Sequence, residues 1–283
     1  MFKYSFCNLV WFKEELSKSV DRLARFGYDA IDLYGEPSAY KNDEVRQILK
    51  NNGLVVSSIC ALYSNERDLA HPDPKVRKNA QEYVKSVIDM AAEVGALTLG
   101  IAPTACMKTE PLASPEDELK WAVEGIQQAA ELAETHGIKL VFEAWNRYEH
   151  YWLNRVDQCL ELMKQVDRKN VGVMGDVFHM NIEETSVADA LRNAGSNLLN
   201  IHLADSNRAA PGVGHFDFVP VMQALKDINY QGYVSYEILP AAANPFGVLE
   251  KGVGEEWLDQ YAEQCITHIK NIEKSLLQNT LTI

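Results

Sequence analysis

Eight times along this chain a short apolar or β-branched run is followed by an amphipathic stretch of helical period. The strand-like runs are Lys3–Cys7, Ala30–Tyr34, Leu54–Cys60, Leu97–Ile101, Lys139–Ala144, Val171–Val177, Leu199–Ala204 and Tyr233–Ile238. Between and after them lie helical patterns at about 13–26, 41–51, 75–94, 115–136, 155–166, 184–194, 217–228 and 255–278. Pro74 and Ser114-Pro115-Glu116 are helix starts with proline at the first helical position. Gly27, Gly53, Gly95 and Gly137 each close a helical pattern just before a strand. Eight such units with no linker between them predict an α/β chain folded as one (β/α)8 TIM barrel over residues 1–283. A doubly wound sheet is the competitor. It would usually carry a glycine-rich turn after its first strand, where this chain has Cys7-Asn8-Leu9-Val10-Trp11.

Charge narrows the partners. With 27 Lys and Arg against 40 Asp and Glu, the net charge is −13, which repels both nucleic-acid phosphates and anionic membranes. No apolar run approaches the ~18 residues of a membrane span, and no basic-then-apolar leader precedes the first strand. Five scattered cysteines (Cys7, Cys60, Cys106, Cys159, Cys265) form no C-x-x-C pair and read as reduced thiols. These features together predict a cytoplasmic protein without nucleic-acid or membrane partners.

A TIM barrel keeps its chemistry at the C-terminal ends of its strands. Four residues fall there on strands five to eight: Glu143, Asp176, His202 and Glu237. Glu143 continues Leu140-Val141-Phe142, where an unpartnered carboxylate would cost several kcal/mol. Glu237 poses the same problem within Val234-Ser235-Tyr236-Glu237-Ile238. Three carboxylates and an imidazole converging at one rim suit a hard or borderline divalent cation. Asp176 has a plainer reading as a helix N-cap, and Glu149, His179 and Arg208 have plainer readings as a solvated loop acid, a rim packing residue and a surface ion pair to Asp205 or Asp217. Trp11, Trp145 and Trp152 fall in strand-end loops and are expected to face a sugar ring. His215 is expected to pack within its loop.

The motifs Glu143-x-x-Asn146-Arg147-x-Glu149, Gly175-Asp176-x-Phe178-His179-Met180-Asn181 and His202-x5-Arg208-x2-Pro211-Gly212-x-Gly214, with the last-strand Glu237, resemble the signature of the ketose 3-epimerases. These are the tagatose/psicose 3-epimerase group of the xylose isomerase-like barrels. The barrel-level likeness spans the whole chain, whereas the sharp motifs lie within about 139–240. The resemblance implies one divalent metal held by Glu143, Asp176, His202 and Glu237, typically Mn2+, with Mg2+, Co2+ or Zn2+ as alternatives. It also implies that His179 and Arg208 hold substrate oxygens near C1 to C3 with support from Glu149, and that the chain is a homodimer or homotetramer.

Chemistry of that kind inverts C3 of a ketose through a cis-enediolate. Glu143 and Glu237 would work as the acid/base pair, one removing the C3 proton and the other returning it on the opposite face. Rival readings on the same metal site are an aldose–ketose isomerase, an epimerase of a keto-acid sugar or sugar phosphate, and an inosose-type dehydratase. A DNA-repair endonuclease would call for a histidine-rich multi-zinc site and a basic face; the seven histidines and the −13 charge argue against it. A sugar-binding barrel without catalysis would need no base on both faces.

Overall fold

The computed structural model of the chain describes residues 1–240, 247–248, 251 and 255–280. All eight expected strands form: β1 (Lys3–Phe6), β2 (Ala30–Gly35), β3 (Val55–Ala61), β4 (Thr98–Ile101), β5 (Lys139–Glu143), β6 (Val171–Asp176), β7 (Leu198–Leu203) and β8 (Tyr233–Tyr236). Every pairing is parallel, in the order β1-β8-β7-β6-β5-β4-β3-β2. A parallel bridge between Cys7 and Asp32 joins the β1 and β2 ends and rounds the sheet into a barrel.

Around it run α1 (Leu16–Phe26), α2 (Asn42–Asn52), α3 (Pro74–Val94), α4 (Pro115–Thr135), α5 (Val156–Val166), α6 (Val177–Glu183), α7 (Val187–Ala194), α8 (Val219–Asp227) and α9 (Glu255–Thr280). The start signals act as expected. The Asp73 carboxylate accepts from the Lys75 amide ahead of Pro74, and the Ser114 hydroxyl accepts from the Asp117 amide ahead of Pro115. Gly27, Gly53 and Gly95 end α1, α2 and α3 in the left-handed conformation, at φ of 75°, 69° and 74°. Periodicity alone does not predict α6; the N-cap reading of Asp176 is its one sign, and the helix begins where β6 ends.

Strand alternation divides the side chains. Outside the sheet, Tyr4, Phe6, Tyr28 and Tyr236 form an aromatic cluster with centroids 5.9–6.4 Å apart. α9 clamps that cluster: Tyr28 donates to the Ala262 carbonyl at 2.7 Å, and Tyr4 donates to Glu273 at 2.9 Å. Trp11, expected to face a sugar, instead stacks on Phe6 at 4.4 Å beneath the Arg22 guanidinium, and is buried. A 3-10 turn (Asn8–Trp11) directly after β1 folds the indole back onto the sheet. Part of the barrel interior is polar. Ser5 and Ser57 come from strands that do not pair, yet their hydroxyls meet at 2.6 Å across the interior.

Candidate active site

Glu143 and Asp176 are the last residues of β5 and β6, His202 sits one residue before the end of β7, and Glu237 follows β8 directly. One ligand atom from each lies within 4.8 Å of the other three. Three of these residues each carry a buried side-chain atom without any hydrogen-bond partner: Glu143 Oε1, Asp176 Oδ2 and His202 Nδ1. Buried polar groups are normally paired, so three unpartnered atoms in one cluster leave room for a cation to satisfy them. The donor set fits a divalent metal.

Asp176 takes the N-cap role and keeps one oxygen available for the other. Oδ1 accepts from the Phe178 and His179 amides at 2.8 and 3.4 Å, capping α6, while Oδ2 stays free for the cluster. His202 is oriented from behind. Its Nε2 lies 2.8 Å from Asp32 Oδ2 on β2, which leaves Nδ1 facing the cluster. This is the carboxylate–imidazole pairing that fixes a ligating ring. Asp32 was missed in the sequence although it shows the signal used for Glu143, an acid inside an apolar strand, Ala30-Ile31-Asp32-Leu33.

Electrostatics describe a crowded site. Burial and then the Glu237 and Asp176 charges push Glu143 well above the usual carboxylate range. Burial and Glu237 raise Asp176 to about 7. Burial would raise Glu237 too, but His202 and Arg208 outweigh it and hold this acid below its ordinary value. Three neighbouring carboxylates cannot all ionise without a compensating positive charge.

His179, in the first turn of α6, accepts at Nδ1 from Asn146 Nδ2 at 2.7 Å and from the Asn146 amide at 3.2 Å. Both partners are donors, which assigns the ring proton to Nε2. That nitrogen lies 3.9 Å from both Glu143 Oε1 and Asp176 Oδ2. Burial drives the imidazole pKa well below its ordinary value, so the ring is a neutral donor. Arg208 does not pair with Asp205 or Asp217. It reaches inward to Glu149 at 3.1 Å and Glu237 at 3.5 Å, with its guanidinium 4.8 Å over Phe178. It sits at φ 63°, in the left-handed region. Glu149 is likewise tied down, accepting from Asn146 Nδ2 at 3.0 Å as well as from Arg208.

Asp205 is a loop organiser. Its carboxylate accepts from the amides of Ser206 (2.7 Å), Gly212 (2.8 Å) and Phe216 (3.0 Å). His215 packs in the same loop, 3.0 Å from the Ser206 hydroxyl. Of the two remaining loop tryptophans, Trp145 lines the cavity beside Glu143 and His202, together with Tyr63, Cys60 and Met174. Trp152 is half-buried and stacks on Tyr151.

An eight-stranded parallel barrel with an acid/imidazole cluster at its C-terminal rim defines the TIM-barrel class, with its candidate active site where such barrels keep theirs. The chain belongs to the xylose isomerase-like TIM barrel family, whose sequence profile matches residues 20–261. It is 30% identical over 260 residues to D-psicose 3-epimerase of Ruminiclostridium cellulolyticum, covering 87% of this chain and 88% of that one. It is 32% identical to D-psicose 3-epimerase of Agrobacterium fabrum over 241 residues, 83% of this chain and 82% of the other. With 3-dehydro-D-guloside 4-epimerase of Escherichia coli it shares 28% identity over 84% of this chain and 92% of that one. Among solved structures, D-psicose 3-epimerase from Clostridium cellulolyticum H10 with D-tagatose superposes with a TM-score of 0.85 at 26% identity, covering 95% of this chain and 99% of that chain. The chain is an enzyme of the isomerase class, an epimerase.

Proposed function

We propose that this enzyme inverts C3 of a free ketose through a cis-enediolate, using one divalent cation, Mn2+ by the family resemblance, held by Glu143, Asp176, His202 and Glu237. The observation that carries this reading is the set of unpartnered atoms on Glu143, Asp176 and His202, in one cluster with Glu237. Named ketose 3-epimerases among the relatives supply the substrate class. A cation there would polarise the sugar carbonyl and spread the negative charge that develops on the enediolate.

The chain's own residues do the rest. Glu143 and Glu237 arrive from β5 and β8 and take opposite faces of C3; one removes the C3 proton to give the enediolate, and the other then returns a proton on the opposite face. The Nε2–H of His179 and the fork of Arg208 hold sugar oxygens near C1 to C3. Glu149 keeps Arg208 aimed, and Trp145 covers the site beside Glu143. The similarity to 3-dehydro-D-guloside 4-epimerase favours a second substrate class, a keto-glycoside inverted at the carbon beside its carbonyl. The same groups would serve that reaction.

Glu143→Gln and Glu237→Gln test the acid/base pair. Each is expected to lower turnover on the order of 10²–10⁴-fold while the variant still binds metal, measured by metal analysis beside the rate. A metal-loaded Gln variant at near wild-type rate removes that residue from the pair.

A further inference from the structure

The interior face of Glu237 opens onto a second group of donors. Cys7, just past β1, and Cys60, in β3, both point through the barrel interior at Glu237 Oε1, at 3.8 and 3.5 Å. The three candidate ligand atoms lie within 4.8 Å of one another. The other carboxylate oxygen, Oε2, faces away, toward Arg208 at 3.5 Å and His202 Nδ1 at 3.9 Å. One carboxylate therefore presents one oxygen to the oxygen-rich cluster and the other to a dithiol.

We propose that Cys7, Cys60 and Glu237 Oε1 form a site for a thiophilic divalent cation such as zinc or cadmium. Tetrahedral zinc, with bonds of about 2.3 Å to sulfur and about 2.0 Å to oxygen, sets its ligands roughly 3.5–3.8 Å apart. That matches the sulfur–oxygen spacings already present. Thiolates select such ions over manganese or magnesium, which prefer the neighbouring oxygens. Both thiols are free, and Cys60 lines the same cavity as Glu143 and His202. Among the described residues, Cys106, Cys159 and Cys265 join no such group.

Binding is balanced by protons. Each thiol loses one, the ion takes two thiolate bonds and one carboxylate bond, and two protons leave per ion. Nothing is oxidised. An ion here draws on the lone pairs of Glu237, so it would inhibit the epimerase. That consequence rests on the role proposed above for Glu237, whereas the site itself does not.

The test is a cadmium titration of the reduced, manganese-loaded protein, following near-ultraviolet thiolate-to-cadmium charge transfer and proton release. The oxygen-rich cluster contains no sulfur and is silent in that band. The expected result is a band that saturates at one equivalent with two protons released, and that is lost in both Cys7→Ser and Cys60→Ser. Absence of a band in the unsubstituted protein at one equivalent, or a band that survives either substitution, overturns the proposal. In that case the pair is small apolar packing. Because the readout is spectroscopic, this failure is distinct from a failure of the epimerase reading.

Discussion

At the scale of single residues, the candidate site is a set of carboxylates and imidazoles whose unpartnered atoms share one cluster. Asp32 matters most among those behind it. Its bond to His202 Nε2 holds the ring with Nδ1 forward, so Asp32→Asn is expected to weaken manganese binding about 10–100-fold with little change at Glu143. A manganese titration followed by electron paramagnetic resonance measures this, and unchanged affinity would show that the ring holds its orientation without Asp32. Glu143, Asp176, His202 and Glu237 were legible because an acid or imidazole ending an apolar strand needs a partner. Asp32 carries the same signature, but it lies on β2, far in sequence from the motifs of residues 139–240. The Cys7–Cys60 approach was not legible either. It depends on which strand residues face inward across the barrel, and spacing along the chain does not report that.

At the scale of elements, the loop after β7 is built on Asp205, with three backbone amides converging on one carboxylate. These bonds hold Asp205 below the ordinary carboxylate pKa despite burial. Asp205→Ala would leave those amides unpaired at a cost of about 2 kcal/mol and loosen the segment carrying Arg208. The expected signature is a lower melting temperature with KM rising more than kcat falls. Gly214→Ala should act through the same contact, because a Cβ at Gly214 would overlap the Asp205 carboxylate. All eight strands and the long helices were legible from period and caps. The short α6 was not: seven residues carry too little periodicity, and its start is fixed by the Asp176 cap that the sequence also offered as a ligand.

At the scale of the whole molecule, closing the barrel forces three carboxylates together, so stability without metal depends on pH. Asp176 rises to about 7 in the folded chain, chiefly through burial, and Glu143 and Asp32 shift the same way. The folded state then binds more protons than the unfolded chain above the ordinary value of 3.8, so this stability is complete below about pH 4 and is lost as pH climbs toward 7. Burial opposes charging His202, but Asp32 and Glu237 raise its pKa, which adds stability that is also lost as pH rises. Glu237 and Asp205 run the other way, with contributions lost only in acid. Metal-stripped protein should therefore melt at a lower temperature near pH 8 than near pH 5.5. Added manganese should raise the melting temperature more at the higher pH, where it no longer competes with protons. A chelator that leaves the melting curve unchanged at both pH values would contradict a structural cation at this rim.

The central claim is proton exchange at C3 of a ketose, and nuclear magnetic resonance in D2O reads it directly. Manganese-loaded enzyme is incubated with free fructose, psicose, tagatose, sorbose and ribulose, and with a 3-keto-glycoside. The account predicts deuterium at C3 of at least one ketose, appearing together with its C3 epimer and absent from the Glu143→Gln and Glu237→Gln variants. Deuterium or new product confined to C1 and C2, or no exchange in any of the free ketoses, would contradict it.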